Sequence, residues 1–344
     1  MQTNRILYIG YGFNGEAGLD SLLKQGSFDI AAVVTPPLGV SRYRPTDKEL
    51  PVETLARQHG LPILQTNAEH DIRAAIDRTK PTSVLTCVYN KLFSPELLRL
   101  GPSFYNLHHG DLPRWKGSSS SEWAIISGRN EIALTLHETV PDLDSGAILW
   151  QETVRVTDDE TIVDMRRKMN DVLRRDLGAV YAHILHPEQS PELSARIRRR
   201  TQVGDPTYTV RIQGADCMID WNKPAQHIHN LIRGLCDPEL EQAFTFYDGH
   251  KLDVLAAKKT RSERVYEGHI PGKPVARSQR QGTVEVLTGD VNTNILLQEV
   301  CYRGEKMTAA QAIASTRNTL GLNHLDLLSR VQSLEAKIKS LESS

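Results

Sequence analysis

Asn106, His108 and Asp144 are the residues whose types and spacing can do chemistry. Asn106 and His108 alternate within SFYNLH, so in a strand both side chains point to the same face. Asp144 lies in the turn Pro141 to Gly146, between two strand-like runs. An imidazole moves a proton near pH 7. A carboxylate beside it orients the ring and stabilises its charged form, and an amide bonds a developing oxyanion.

Such groups need a scaffold that brings them to one crevice. The first half of the chain alternates strand-like and helix-like stretches. RILYI, DIAAVV, LPIL, TSVLTCV and SFYNLH read as strands; helices are expected at Asn14–Leu23, Glu53–His59, Asp71–Asp77 and Pro95–Leu100, with a Pro-rich loop from Pro36 to Pro51. This alternation implies an α/β fold with a Rossmann-like, doubly wound, mostly parallel sheet. Ligands bind such sheets at the carboxyl ends of the strands, where Asn106 and His108 fall. A longer helix is expected over Glu160–Leu185. The Arg-rich, Pro-marked stretch 191–207 reads as a linker after a catalytic domain over 1–190. TVRI, AFTFYDGHKLDVL and GTVEVLTGD with NTNILLQEV then suggest a small β-rich, barrel-like domain of OB type over 208–312. A helix over 313–344 completes the chain.

The first strand runs into Gly10, Gly12 and Gly15, the G-x-G-x-x-G spacing of a dinucleotide turn. A nicotinamide site also wants an acid at the end of the second strand, to bond the ribose. Thr35 and Pro36 stand there instead, so no nicotinamide is expected. The glycines serve a tight strand-to-helix turn, whose amides remain available to a phosphate.

The segment NLHHGDLPRWKG followed by DLDSG resembles the folate-dependent formyltransferases, whose pattern is Asn-x-His-x-x-x-Leu-Pro-x-x-x-Gly and then Leu-Asp-Ser/Thr-Gly. IDWNKPAQHIHNLIRGL and AFTFYDGHKLDVL are similar to the second domains of methionyl-tRNA and UDP-4-amino-arabinose formyltransferases, so the resemblance covers roughly residues 1–312. It implies 10-formyltetrahydrofolate as the donor, with no metal. It implies Asn106, His108 and Asp144 as the catalytic set. An amine attacks the formyl carbon, Asn106 and protonated His108 steady the oxyanion, and Asp144 fixes the His108 tautomer and raises its pKa. The folate is expected along Lys91, Leu92 and Phe93, the loop Gly110, Asp111, Leu112 and Pro113, and the turn Val140, Pro141, Asp142 and Leu143. His109, Trp115 and Lys116 are candidates for the acceptor. The loop departs from the family in that Gly110 replaces a Ser and Asp111 a Leu; Asp111 is open to a role on a cationic amine or a sugar hydroxyl. The double His is reminiscent of formyltetrahydrofolate deformylase, which lacks the β-rich domain.

The acceptor is read from charge. With 41 Lys and Arg against 42 Asp and Glu, the formal charge is −1, which does not favour a tRNA surface. A nucleotide-linked amino-deoxysugar is therefore the first expectation and methionyl-tRNA the second. A non-catalytic dimeric scaffold is a third reading, against which the intact catalytic set stands. No nucleic-acid or membrane partner is expected. No apolar run approaches about 18 residues and no signal pattern is seen, so a cytoplasmic location is expected. Cys87, Cys217, Cys236 and Cys301 form no C-x-x-C pair and read as reduced thiols. Ser118 to Ser121 most simply begin a helix. Arg196, Arg198, Arg199 and Arg200 read as a solvated linker, with phosphate binding as the alternative. In the tail from Leu320 to Leu341, Leu327, Leu334 and Leu341 share one heptad position (d) and His324, Val331 and Ile338 the other (a). That pattern favours a parallel two-stranded coiled coil, hence a homodimer; a helix packed on its own domain is the alternative.

Overall fold

The alternation of short apolar runs with amphipathic stretches builds one large sheet in the computed structural model, which describes residues 4–37, 51–89, 91–238, 240–322 and 324–342. The chain divides into two units, the first comprising 1–124 with 129–211 and the second 125–128 with 212–344.

In the first unit the elements are β1 (Asn4–Gly10), α1 (Gly12–Gln25), β2 (Phe28–Thr35), α2 (Pro51–Gln58), β3 (Ile63–Gln65), α3 (Glu69–Thr79), β4 (Ser83–Cys87), α4 (Pro95–Leu98) and β5 (Ser103–His108). There follow β6 (Lys116–Gly117), α5 (Ser120–Ile126), which runs into the second unit, β7 (Glu131–Glu138), β8 (Ile148–Arg155), α6 (Ile162–Leu185) and β9 (Tyr208–Thr209). The seven-stranded sheet has the order β3-β2-β1-β4-β5-β7-β8. β1 to β5 are parallel, while β7 and β8 are antiparallel to their neighbours. Ile6, Leu7 and Tyr8 in β1 are fully buried, as expected of a central strand covered on both faces. α6 starts on a capping box, in which Thr161 Oγ1 accepts from the Asp164 N–H and the Asp164 carboxylate accepts from the Thr161 N–H.

Two glycines of the first turn are required by the backbone. Gly12 sits at φ +65°, and a Cβ on Gly15 would come within 3.0 Å of the Gly10 carbonyl carbon and of Val52. The expected Pro-rich loop falls largely on residues 38–50, outside the described ones. The stretch expected as a linker packs on the first unit instead. Ile197 is buried, Arg200 and Ile148 exchange backbone bonds at 2.9 Å, and β9 pairs with β6. Three of its arginines are tied down: Arg199 forks onto Glu138 at 2.7 and 2.9 Å, Arg196 meets Glu152 and Arg200 meets Gln151. The compact unit therefore continues through Arg211.

The second unit carries α7 (Ala225–Gly234), β10 (Phe244–Tyr247), β11 (His250–Arg261), β12 (Pro274–Ser278), β13 (Thr283–Val286), β14 (Thr293–Tyr302), β15 (Glu305–Thr308), α8 (Ala309–Ala312) and α9 (His324–Glu342). Asp248 and Gly249, both at positive φ, make the tight β10–β11 turn. The six strands form an antiparallel sheet of order β10-β11-β14-β13-β12, with β15 on β14. This is the β-rich second domain expected from the sequence; among the described residues no ladder joins β10 to β12. No described helix is long and apolar enough to cross a membrane.

α1 and α6 cross closely at Gly178, where a Cβ would lie 2.4 Å from the Ser21 carbonyl oxygen. Helix propensity alone favours Gly178→Ala by up to about 1 kcal/mol. Overpacking against backbone costs about 1–3 kcal/mol. Gly178→Ala is therefore expected to lower the stability of the first unit in urea unfolding; a gain would show that the crossing is looser than described.

Candidate active site

The ends of β1, β4 and β5 open onto a cleft of about 400 Å³, within the range of small-molecule sites. Its wall includes Tyr11 after β1, Thr86 and Val88 at the end of β4, and Asn106 to His109 at the end of β5. β5 pairs with β7 so that Asn106 stands opposite His137. Asp144 reaches the same wall from the turn after β7, and His137 and Asp144 both line the cleft.

The three expected residues meet here, through a fourth that the sequence reading missed. His137 Nδ1 donates to the Glu138 carbonyl at 2.7 Å, so its Nε2 is bare and accepts from Asn106 Nδ2 at 3.1 Å. Thr86 Oγ1 donates to Asn106 Oδ1 at 2.6 Å. The amide is thereby held at both ends with one N–H left for a substrate. The Asp144 carboxylate lies between the two rings, 3.6 Å from His108 Nδ1 and 3.6 Å from His137 Nε2. At that distance neither is a hydrogen bond while the facing nitrogens are bare, and the carboxylate is placed to stabilise a proton arriving at His108 Nδ1. The backbone N–H of Gly117 donates to Asp144 Oδ2 at 2.9 Å and fixes it.

His108 Nε2 lies 2.8 Å from the Trp115 carbonyl oxygen, which can only accept. The neutral ring therefore carries its proton on Nε2 and leaves Nδ1 bare toward Asp144. The carbonyl of Trp115, not Asp144, sets the tautomer, which corrects the expectation from resemblance. Burial makes the net shift of the His108 pKa downward, although Asp144 pushes it up as expected. His137 and Lys116 add to the lowering, so the ring sits below its ordinary value of 6.5. Burial raises the Asp144 pKa, whereas the neighbouring imidazoles, when they donate or carry charge, and the Gly117 N–H lower it by more, to about 2.

The backbone is strained at this place. Among the described residues seven other than glycine have positive φ, and Val88, Trp115, Ser119 and Asp144 are four of them. Three line the cleft and the fourth supplies the carbonyl to His108. Each such conformation costs on the order of 1–3 kcal/mol and persists only where surroundings impose it. Two glycines explain the motif. A Cβ on Gly146 would fall 1.8 Å from the Glu138 carbonyl oxygen, so the Asp144 turn closes on β7 only with glycine there. A Cβ on Gly110 would fall 2.4 Å from His108 Nε2, so the departure from the family's Ser leaves room for the His108–Trp115 bond.

The remaining expected residues divide. Lys91, Leu92, Phe93, Val140, Asp142, Leu143 and His109 line the cleft, with Phe93 stacked on Tyr89 at 5.0 Å. His109 is bonded by Asn14 at 3.0 Å. Gly110, Asp111 and Trp115 line a smaller depression beside Arg129. Asp111 meets Arg114 at 2.6 Å rather than the cleft. Leu112 is buried, Pro113 half-buried and Pro141 exposed, and none of the three is in the cleft wall. Lys116 is buried and turns its ammonium to Ser145 at 2.7 Å. The wall also takes Glu122 and Arg166, an ion pair at 2.8 Å from α5 to α6 that no sequence spacing announces. Among the described residues no group of His, Cys, Asp or Glu is placed to hold a metal ion.

A folded pKa below 6.5 means that the unfolded chain binds the His108 proton more readily. The His108 contribution to stability thus rises with pH between its folded pKa and 6.5. In an NMR titration the His108 ring is expected to titrate below pH 6.5, and lower still in Asp144→Asn, where the opposing carboxylate charge is gone. A midpoint above 6.5, or one unmoved by Asp144→Asn, would contradict this electrostatic reading.

With the geometry in place, known proteins can be set beside it. The formyl transferase family model matches residues 4–178, and the formyl transferase C-terminal domain model matches residues 211–318. HypX from Aquifex aeolicus, solved in complex with tetrahydrofolic acid, is similar with a TM-score of 0.59 at 16% identity, over 92% of this chain and 48% of that one. The chain thus spans about half the length of HypX. An N-formyltransferase from Helicobacter canadensis, in complex with folinic acid and dTDP-3-aminofucose, has a TM-score of 0.59 at 14% identity, over 86% of this chain and 99% of that one. Methionyl-tRNA formyltransferase from Clostridium thermocellum gives 0.52 at 16% identity, over 74% and 92%. At these identities the structural likeness is one of fold, but the family models reach into both units, and the chain belongs to the formyl transferase family.

Proposed function

We propose that the protein transfers a formyl group from 10-formyltetrahydrofolate to the amino group of a nucleotide-linked amino-deoxysugar. The meeting of Asn106, His108 and Asp144 on one wall of the cleft carries this reading. The free N–H of Asn106 receives the formyl oxygen. A neutral amine adds to the formyl carbon, and the oxygen takes up the negative charge. His108 enters neutral and takes the amine proton at Nδ1, facing the Asp144 carboxylate, so an imidazolium forms beside an anion already in place. The C–N bond to the folate then breaks, and His108 returns its proton to the departing nitrogen. The products are a formamide and tetrahydrofolate. A positioned acid–base contributes about 10²–10⁴-fold, and an oxyanion donor about 10²–10³-fold. The apolar wall of Leu92, Phe93, Val140 and Leu143 suits the flat pterin, and Asn14, His109 and Ser118 to Ser121 supply polar groups to the acceptor.

The acceptor class is supported by similar proteins. The Helicobacter canadensis enzyme was solved with an amino-sugar nucleotide, and the sugar 3N-formyl transferase WlaRD in the presence of dTDP and 5-N-formyl-THF. The formal charge of −1 weighs against a tRNA acceptor.

Mass spectrometry of a turnover mixture tests this. The protein is given 10-formyltetrahydrofolate with a panel of dTDP- and UDP-linked amino sugars, and methionyl-tRNA in parallel. Formylation of one sugar is expected, and His108→Ala is expected to slow it by about 10²–10⁴-fold with the fold intact. Formylation of the tRNA alone would overturn the acceptor, formate release without any acceptor would favour deformylation, and full turnover by His108→Ala would overturn the mechanism.

A further inference from the structure

α9 carries a stripe of large apolar side chains that stay largely exposed. Val331, Leu334 and Ile338 are 50–58% exposed and Leu341 is 75% exposed, with Leu327 at 45%. Scattered exposed hydrophobes need no explanation, but a stripe in one heptad register does. Leu327, Leu334 and Leu341 stand at d; Val331 and Ile338 stand at a. The other described positions between them are polar apart from Ala336 and the exposed Leu328, which extends the stripe at an e position.

We infer that this stripe is covered by α9 of a second copy of the chain, in a parallel two-stranded coiled coil. Two features of the helix select that occupant. β-branched residues at a with Leu at d favour two strands over three or four. The flanking charges select the direction. The spacing puts Arg330 and Lys337 at g and Glu335 and Glu342 at e. In a parallel pair each g faces the e five residues on in the other chain, so Arg330 meets Glu335 and Lys337 meets Glu342, twice over by symmetry. In an antiparallel pair g faces g and e faces e, which sets cation against cation and carboxylate against carboxylate. The helix is thus self-complementary in one orientation and self-repelling in the other. A single short helix of this length is marginal by itself, so mutual burial of the stripe also stabilises α9. This inference is independent of the acceptor and donor assigned above.

Light scattering on the full-length protein over a concentration series tests it. The expected mass approaches twice the 38.5 kDa of the chain and falls toward one chain on dilution. Leu334→Asp, at an exposed position, is expected to give one chain throughout with unchanged circular dichroism outside α9. The charge reversals Arg330→Glu with Lys337→Glu are expected to shift the curve toward one chain, and the further changes Glu335→Lys with Glu342→Lys to restore it. Under oxidation Leu341→Cys is expected to cross-link two chains, because a parallel pair sets equal d positions side by side. A mass of one chain at every concentration, a mass of three or more, a dimer unaffected by Leu334→Asp, or no Leu341→Cys cross-link would each overturn the inference.

Discussion

The antiparallel register of β5 on β7 is the constraint on which the site depends. It sets Asn106 against His137 and puts His108 on the same face two residues on. A slip of one residue would turn Asn106 and His108 away from the cleft together. The register also determines where the chain after β7 can turn back. Glu138 accepts the His137 Nδ1–H on its carbonyl, and that same oxygen approaches Gly146 too closely for any side chain. The turn between them delivers Asp144, at φ +46°, to the space between two imidazoles.

Burial gives this arrangement its chemistry. His108 and Asp144 are nearly enclosed, so each charge is felt strongly by its neighbours. The surroundings hold the Asp144 carboxyl pKa at about 2 and lower that of the His108 imidazole below its ordinary value. A ring held neutral is suited to act as a base first and an acid afterward, the order that the proposed amine addition and loss of the folate nitrogen would require. The strained backbone at Val88, Ser119 and Asp144 lines the cleft, and that at Trp115 carries the carbonyl bonded to His108, so strain is concentrated where the three side chains meet.

Much of this was legible in the sequence. The period-two alternation gave the pairing of Asn106 with His108 on one face, and strand–helix alternation gave the parallel sheet that carries them. The Asp-Gly pair at 248–249 announced its hairpin. What was not legible depends on contacts between distant segments. His137 sits in LTLHET, where alternation places it on one face, yet nothing local says that this face meets Asn106. The Trp115 carbonyl is a backbone group, and no residue type advertises it as the group that sets a histidine tautomer. Burial of His108 depends on the whole fold, so the sign of its net pKa shift could not be read from its carboxylate neighbour alone. The arginines at 196, 199 and 200 look like solvated charge in sequence, and become ion-pair and hydrogen-bonding partners only when β7 and β8 present Glu138, Gln151 and Glu152 to them.

The most direct measurement of the central claim is a crystal structure of the protein with a non-transferring analogue of the formyl donor and an amine acceptor. The expected result places the formyl oxygen about 3 Å from Asn106 Nδ2 and the amine nitrogen within hydrogen-bond reach of His108 Nδ1, about 2.6–3.2 Å or through one water. A formyl group bound away from Asn106, or an amine approaching from a side that His108 does not face, would contradict it.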